Sequence, residues 1–373
     1  MTGKREAILV RVITLAAVLI CVMCVGFVAG AIEPDVHEDG SVTFRFAAPT
    51  ASSVGIDVKG RTGDARNDEP LEMTRGEGGV WSVTTEPLDP GFHYYFLYVD
   101  GVRVADNSEP LFFGWARPTN GVDVPDAGLD IYEPRDVPRG EISIRPYWSE
   151  ITGAWREARV YLPPGYGKQL DRAYPVLYLQ HGAGENQTSW NVQGRAGVIM
   201  DNLLADEKCV PMLIVMDYGY ATPADGEENR RGETFERVVV EELIPVVEAN
   251  YRVKAGRENR AIAGLSMGSG QATSIGFGNL AKFSHIGCFS GFVNGLGLRE
   301  GESGPSAETV NELTKLVWLG VGTEDFVYDR MKSAHDAMEE RGIEHVYYEH
   351  PGTHEWQAWR LHLSLFAPLL FRD

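Results

Sequence analysis

The sequence predicts an α/β chain, built on a mostly parallel sheet with helices on both faces and preceded by a small β-sandwich. Three observations lead there. Between Val36 and Val124 short alternating apolar runs are broken repeatedly by Gly, Pro, Asp and Asn, the pattern of half-buried antiparallel strands. Beyond Gly140 continuous apolar runs alternate with helical stretches, as a parallel sheet covered on both faces requires. The 373 residues, 43% hydrophobic and 10% aromatic, suffice for a core in each part.

Residues 1–31 come first. Lys4, Arg5 and Arg11 precede an uncharged stretch from Val12 to Ile32, and Ala29-Gly30-Ala31 is a small-x-small cleavage pattern, so a signal peptide is expected. The stretch is also long enough to span a bilayer, which leaves a membrane anchor as the alternative. Either way the rest is expected outside the cytoplasm, secreted or periplasmic. Cys21 and Cys24 fall in this segment; Cys209 and Cys288 alone make neither a disulfide framework nor a metal cluster and are expected as buried thiols. The net charge of −19 argues against nucleic acid or an anionic membrane surface and favours a neutral partner.

The sandwich is expected over 33–126. In the strand at Gly91 to Val99, Tyr95, Leu97 and Val99 share one face and Tyr94, Phe96 and Tyr98 the other. One face is expected to pack the sandwich core and the other to dock on the following part, with a glycan-binding platform as the alternative; Trp81 and Trp115 carry the same ambiguity. Residues 127–140, with two prolines and mixed charge, read as a linker. From 141 to 373 two extended segments lead into the strand and helix alternation, with helices expected near 197–207, 234–251, from Met267, near 328–341, and a last one to Phe371.

Gly264-Leu265-Ser266-Met267-Gly268 is a G-x-S-x-G sequence placed between a predicted strand and a predicted helix, where a nucleophilic serine is held on a tight turn. Such a serine needs a base, and the base needs a partner that fixes its tautomer. Asp325, at the end of the apolar run "WLGVGTEDF", and His354, in "YYEHPGTHEW", follow in that order. This is the chain order of α/β-hydrolases, and each residue falls in a loop at the same sheet edge. Glu324 is the alternative acid and His350 the alternative base. The oxyanion donors are expected to be the N–H of Met267 and, from "LQHGAGENQTSW", that of Ala183 or Gly182, with His181 ordering the loop. Trp190, Tyr218, Tyr220 and Phe292 follow strand ends and are candidates for substrate contact; Trp356 and Trp359 begin the last helix and fit either pocket or core. The mechanism needs no metal and no organic cofactor.

Two resemblances refine this. "DPGFHYYFLYVDGVRVADNSEP" resembles the family-48 carbohydrate-binding modules, which are immunoglobulin-like. Glycogen-binding members carry a sugar-stacking tryptophan close after the Asp-Gly turn, whereas Val102 and Arg103 follow Asp100-Gly101 here. "YLQHGAGENQTSW", "RAIAGLSMGSGQAT", "GTEDF" and "GTHEWQAWRLHLSLFAPLLF" resemble the feruloyl esterases of carbohydrate esterase family one, close to esterase D and the enterochelin esterases. The resemblance implies an α/β-hydrolase fold, gives Ser266, Asp325 and His354 the roles argued above, and implies esterified plant polysaccharide such as arabinoxylan as substrate. Ser269 stands where the family commonly has Gly, a helix position where little consequence is expected. Acetylxylan esterase and siderophore esterase are the alternatives within the class; a non-catalytic carbohydrate-binding protein is the alternative outside it.

Overall fold

The computed structural model describes residues 33–61, 69–125, 128, 130–226, 233–298 and 303–372. The predicted export segment lies outside them. The second half holds an eight-stranded sheet. Its strands are β1 (Glu141–Ser149), β2 (Ala154–Leu162), β3 (Val176–Gln180), β4 (Leu213–Met216), β5 (Arg260–Ser266), β6 (His285–Gly291), β7 (Leu316–Gly322) and β8 (Val346–His350). They lie in the order β1-β2-β4-β3-β5-β6-β7-β8. β1, β2 and β4 pair antiparallel, and every pair from β4 to β8 is parallel. β5 is central, and its Ala261, Ile262, Ala263 and Leu265 are fully buried, so the short apolar run read from the sequence is a strand covered on both faces.

Seven α-helices cover the sheet among the described residues: α1 (Ala196–Ala205), α2 (Glu233–Arg237), α3 (Ile244–Asn250), α4 (Met267–Gly278), α5 (Ala307–Leu313), α6 (Tyr328–Glu340) and α7 (Trp356–Phe366). The single helix expected near 234–251 is instead α2 and α3 joined through a π-helical stretch, Val238–Leu243. Pro245 accounts for this, because it has no N–H to give the carbonyl one turn back and its ring crowds that carbonyl.

The first half is β-rich. One antiparallel sheet contains Asp35–Val36, Val42–Ala47, Val80–Thr84 and Thr74–Arg75; a second is centred on Gly91–Val99, flanked by Val54–Val58 and Arg117–Val124. Tyr95 and Leu97 pack between them with Val42, Phe44, Ile56 and Trp81. Phe92 and Tyr94, of opposite parity on the strand, belong to the core under the large sheet, with Trp190, Phe289 and Trp356. The strand with two greasy faces thus belongs to two cores.

Polar contacts reinforce this junction. The fully buried Arg360 of α7 donates to Asp123 at 2.6 Å and to the Gln193 carbonyl, while Arg195 donates to the other Asp123 oxygen at 2.8 Å. The segment 130–140 is fastened as well: Asn202 donates to the carbonyls of Ile131 and Glu133, and Tyr132 is buried.

Candidate active site

β5 ends and α4 begins at Ser266, whose backbone sits at φ 50, ψ −116. That conformation is strained for a residue with a Cβ, by roughly 1–3 kcal/mol, and it stands the hydroxyl proud of the sheet edge. Its neighbours leave no room for side chains: a Cβ on Gly264 would come within 2.4 Å of the Gly268 carbonyl, and one on Gly268 within 2.4 Å of the His181 carbonyl. Ser269 has more consequence than the sequence led us to expect. Its buried hydroxyl donates to the Ser266 carbonyl at 2.6 Å and accepts the Phe292 N–H at 2.8 Å, so it fastens the strained turn to the loop after β6.

His354, in the loop after β8, places Nε2 2.9 Å from Ser266 Oγ. Its Nδ1 lies 2.9 Å from both carboxylate oxygens of Asp325, in the loop after β7. Asp325 is buried, and its Oδ1 also accepts the Val327 N–H at 2.9 Å. A carboxylate so placed holds the imidazole with its proton on Nδ1 and its lone pair toward the serine. Phe326 and Trp359 flank the His354 ring, with centroids at 4.3 and 5.1 Å. The two alternatives lie elsewhere: Glu324 lines the pocket rim without reaching Nδ1, and His350 bonds the Pro351 carbonyl and His362.

The loop after β3 faces the serine. His181 Nδ1 donates to the Gly182 carbonyl at 2.8 Å and Nε2 accepts the Gly219 N–H at 2.9 Å; burial lowers this imidazole to about 4, so it is a neutral brace. The Gly182 N–H is spent on Glu185 Oε2 at 3.1 Å. Gly182 is therefore not an oxyanion donor, a correction to the expectation that kept it beside Ala183. Ala183 and Met267 border the same groove as Ser266, and no acceptor among the described residues takes either N–H.

Glu185 carried no expectation, and only its place three residues after Gly182 could have marked it. It is buried and accepts from Tyr94 Oη at 3.2 Å; Tyr94 in turn accepts from Gln193 at 2.7 Å and Trp356 Nε1 at 3.1 Å. Burial pushes the carboxyl up to about 8, against the pull of the Gly182 N–H and the Tyr94 hydroxyl. The folded chain keeps this proton across a range, from about 4.5 to about 8, in which the unfolded chain has released it. Stability is therefore lost as pH rises through that window. Glu185→Gln is expected to remove this slope, so melting temperatures recorded from pH 5 to pH 8 should fall for the wild type relative to the variant.

Ser266 opens onto two grooves. One, of about 400 Å³, is lined by His354, Phe326, Trp359, Glu185 and, from the β-rich half, Tyr94 and Trp115. The other, of about 710 Å³, is lined by Met267, Tyr220, Gln271, Phe292 and Asn294. Of the candidate substrate contacts, Phe292 and Tyr220 lie in this groove. Tyr218 does not; it stacks on His181, with centroids 5.9 Å apart, and faces a neighbouring groove. Trp190 and Trp356 are corrections: both are fully buried and meet edge to face at 5.3 Å in the core. Trp190 gives its N–H to the Gln180 carbonyl at 2.8 Å and Trp356 gives its own to Tyr94, so both indoles are satisfied inside the fold.

Residues 149–366 match the Esterase family, described as "Putative esterase". The chain belongs to this family. An endo-1,4-beta-xylanase/feruloyl esterase of Xylanibacter ruminicola is 39% identical to this chain over 349 residues, which cover 91% of the chain and 46% of the relative. An esterase of Mycobacterium tuberculosis is 34% identical over 174 residues, 44% of this chain and 34% of its own length. The chain thus spans less than half the length of these curated relatives. A ferulic acid esterase of Anaeromyces mucronatus, solved with ferulic acid, is 27% identical with a TM-score of 0.58, covering 65% of this chain and 96% of that one. The enterobactin esterase of Shigella flexneri shares the fold over 90% of this chain and 95% of its own, with a TM-score of 0.66 at 17% identity.

Proposed function

We propose that this chain is an exported serine esterase that releases hydroxycinnamoyl groups from plant cell-wall xylan through an acyl-enzyme on Ser266. The observation that carries the reading is the hydrogen-bonded chain Ser266 Oγ, His354 Nε2, His354 Nδ1, Asp325, standing at the mouth of two grooves. His354 takes the serine proton as Oγ attacks the ester carbonyl. The N–H groups of Met267 and Ala183 receive the oxyanion, each contributing about 2.7–4 kcal/mol at the transition state. His354 then hands its proton to the departing alcohol, which therefore leaves on the His354 side. Water, activated by the same imidazole, releases the acid.

This sequence of steps assigns the grooves. The alcohol lies against His354, Trp115 and Tyr94, and the acyl group enters the groove of Phe292 and Tyr220. A volume of about 710 Å³ with aromatic walls suits a hydroxycinnamoyl group and is far larger than an acetyl group needs. The relatives named as feruloyl esterases support the same choice. Export rests on the pattern of residues 1–31. The family-48-like, immunoglobulin-like reading of the β-rich half rests on its sequence and on its two facing antiparallel sheets.

Initial rates on methyl ferulate and on acetylated xylan, measured side by side, test the proposal. Ferulate release is the expected result. Release of acetate alone would replace the acyl group while keeping the site, and inertness toward both would overturn the esterase reading.

A further inference from the structure

The β1–β2 hairpin, at the edge of the large sheet, has one face turned inward and rigidly held. There Tyr147 donates to Asp217 at 2.8 Å and Arg156 pairs with the same carboxylate at 2.9 Å. The opposite face is open to solvent and carries two tryptophans. Trp148 and Trp155 are direct cross-strand partners, 45% and 71% exposed, with ring centroids 5.9 Å apart. Ile144 extends the same face and is also exposed. A fold gains little from leaving an indole as open as Trp155, and an exposed aromatic patch on a braced strand pair is the mark of a binding surface.

The patch leads somewhere. Trp155 and Pro146 line a groove of about 740 Å³ together with Phe113, Tyr218 and Tyr220. Glu157, Asn186 and Gln187 supply polar groups along it. At one end the groove shares Tyr220, Ala221 and Thr222 with the groove holding Ser266 and Phe292. It takes Phe113 and Asn186 from the same two chain segments that give Trp115 and Glu185 to the alcohol groove. The Tyr220 hydroxyl accepts the Gly184 N–H at 2.7 Å, which ties this groove to the loop that carries Ala183.

We propose that Trp148, Trp155 and the adjoining groove form a subsite for a neutral polysaccharide chain, the glycan backbone that bears the scissile ester. The proposal rests on the reading of the substrate as an esterified glycan. Flat rings interleaved with amide and carboxylate groups match a sugar, whose C–H faces stack on aromatic faces while its hydroxyls bond the polar groups between them. A net charge of −19 disfavours an acidic polymer in this place. A groove that shares Tyr220, Ala221 and Thr222 with the one holding Ser266 fits a chain that must reach Ser266 while extending beyond it.

The test compares the full chain with its W148A/W155A double variant. Three quantities are read: kcat/KM on methyl ferulate, calorimetric affinity for unesterified xylohexaose, and ferulate release from polymeric arabinoxylan. The expected result is methyl ferulate turnover unchanged, xylohexaose affinity weakened about tenfold or more, and polymer release reduced in parallel. Equal xylohexaose affinity in the two proteins, or none in the wild type, would overturn the subsite. So would a wild-type dimer that the double variant loses in size-exclusion chromatography, because the face would then be an interface between copies. If the wild type ignores methyl ferulate but binds xylohexaose through the two tryptophans, the subsite stands and the acyl assignment falls.

Discussion

Alanine at position 266 is expected to lower kcat by about 10⁵- to 10⁶-fold, because removing the nucleophile of a serine triad costs about as much as removing the whole triad. The substitution deletes one hydroxyl whose only hydrogen bond among the described residues is to His354, and the backbone at φ 50 is as accessible to alanine as to serine. Melting temperature and far-ultraviolet circular dichroism should therefore match the wild type. Initial rates on methyl ferulate, taken with that check of folding, decide the matter. Turnover comparable to the wild type would show that the nucleophile lies elsewhere.

Asp325→Asn is expected to cost about 10⁴-fold in kcat with little change in KM, for a reason of tautomers rather than of charge alone. Both Asp325 oxygens stand 2.9 Å from Nδ1 and one of them also accepts the Val327 N–H. An asparagine amide, with one oxygen, cannot satisfy both donors in the same way. Turning its NH₂ toward Nδ1 would place the imidazole proton on Nε2, where it faces Ser266 and cannot take a proton from it. The KM stays because Asp325 does not line either groove beside Ser266. An equal-sized loss for Glu324→Gln, assayed in parallel, would contradict the assignment of Asp325 as the partner of the base.

Legibility in the sequence followed from how local each feature is. The central strand, the turn at Ser266 and helix α4 could be read because apolar run, glycine spacing and small-residue helix all lie within one stretch of chain. The order of Asp325 and His354 was readable because each sits directly after a strand. Trp190 and Trp356 were not, because a residue near a strand end can turn toward the pocket or under the sheet, and the sequence carries no sign of which. The space under the sheet is filled partly by Phe92 and Tyr94, from some hundred residues before Trp190. Glu185 was hidden and Trp115 left ambiguous for the same reason: their importance comes from contacts between the two halves, which no local pattern records. Ser269 was underrated because its partner, the Phe292 N–H, arrives from another loop.

The strand Gly91–Val99, which places Tyr95 in one core and Tyr94 in another, has a consequence for inheritance. A binding module that can be traded among proteins keeps its apolar residues to itself and meets its neighbour through a wet, replaceable surface. Here the front half lends Phe92 and Tyr94 to the interior of the back half, and the back half sends a buried arginine, Arg360, to meet Asp123. Cutting between them would leave two open wounds rather than two proteins. The piece that can be copied into a larger enzyme is therefore the pair, and the long relative from Xylanibacter ruminicola aligns with 91% of this chain inside a protein about twice as long.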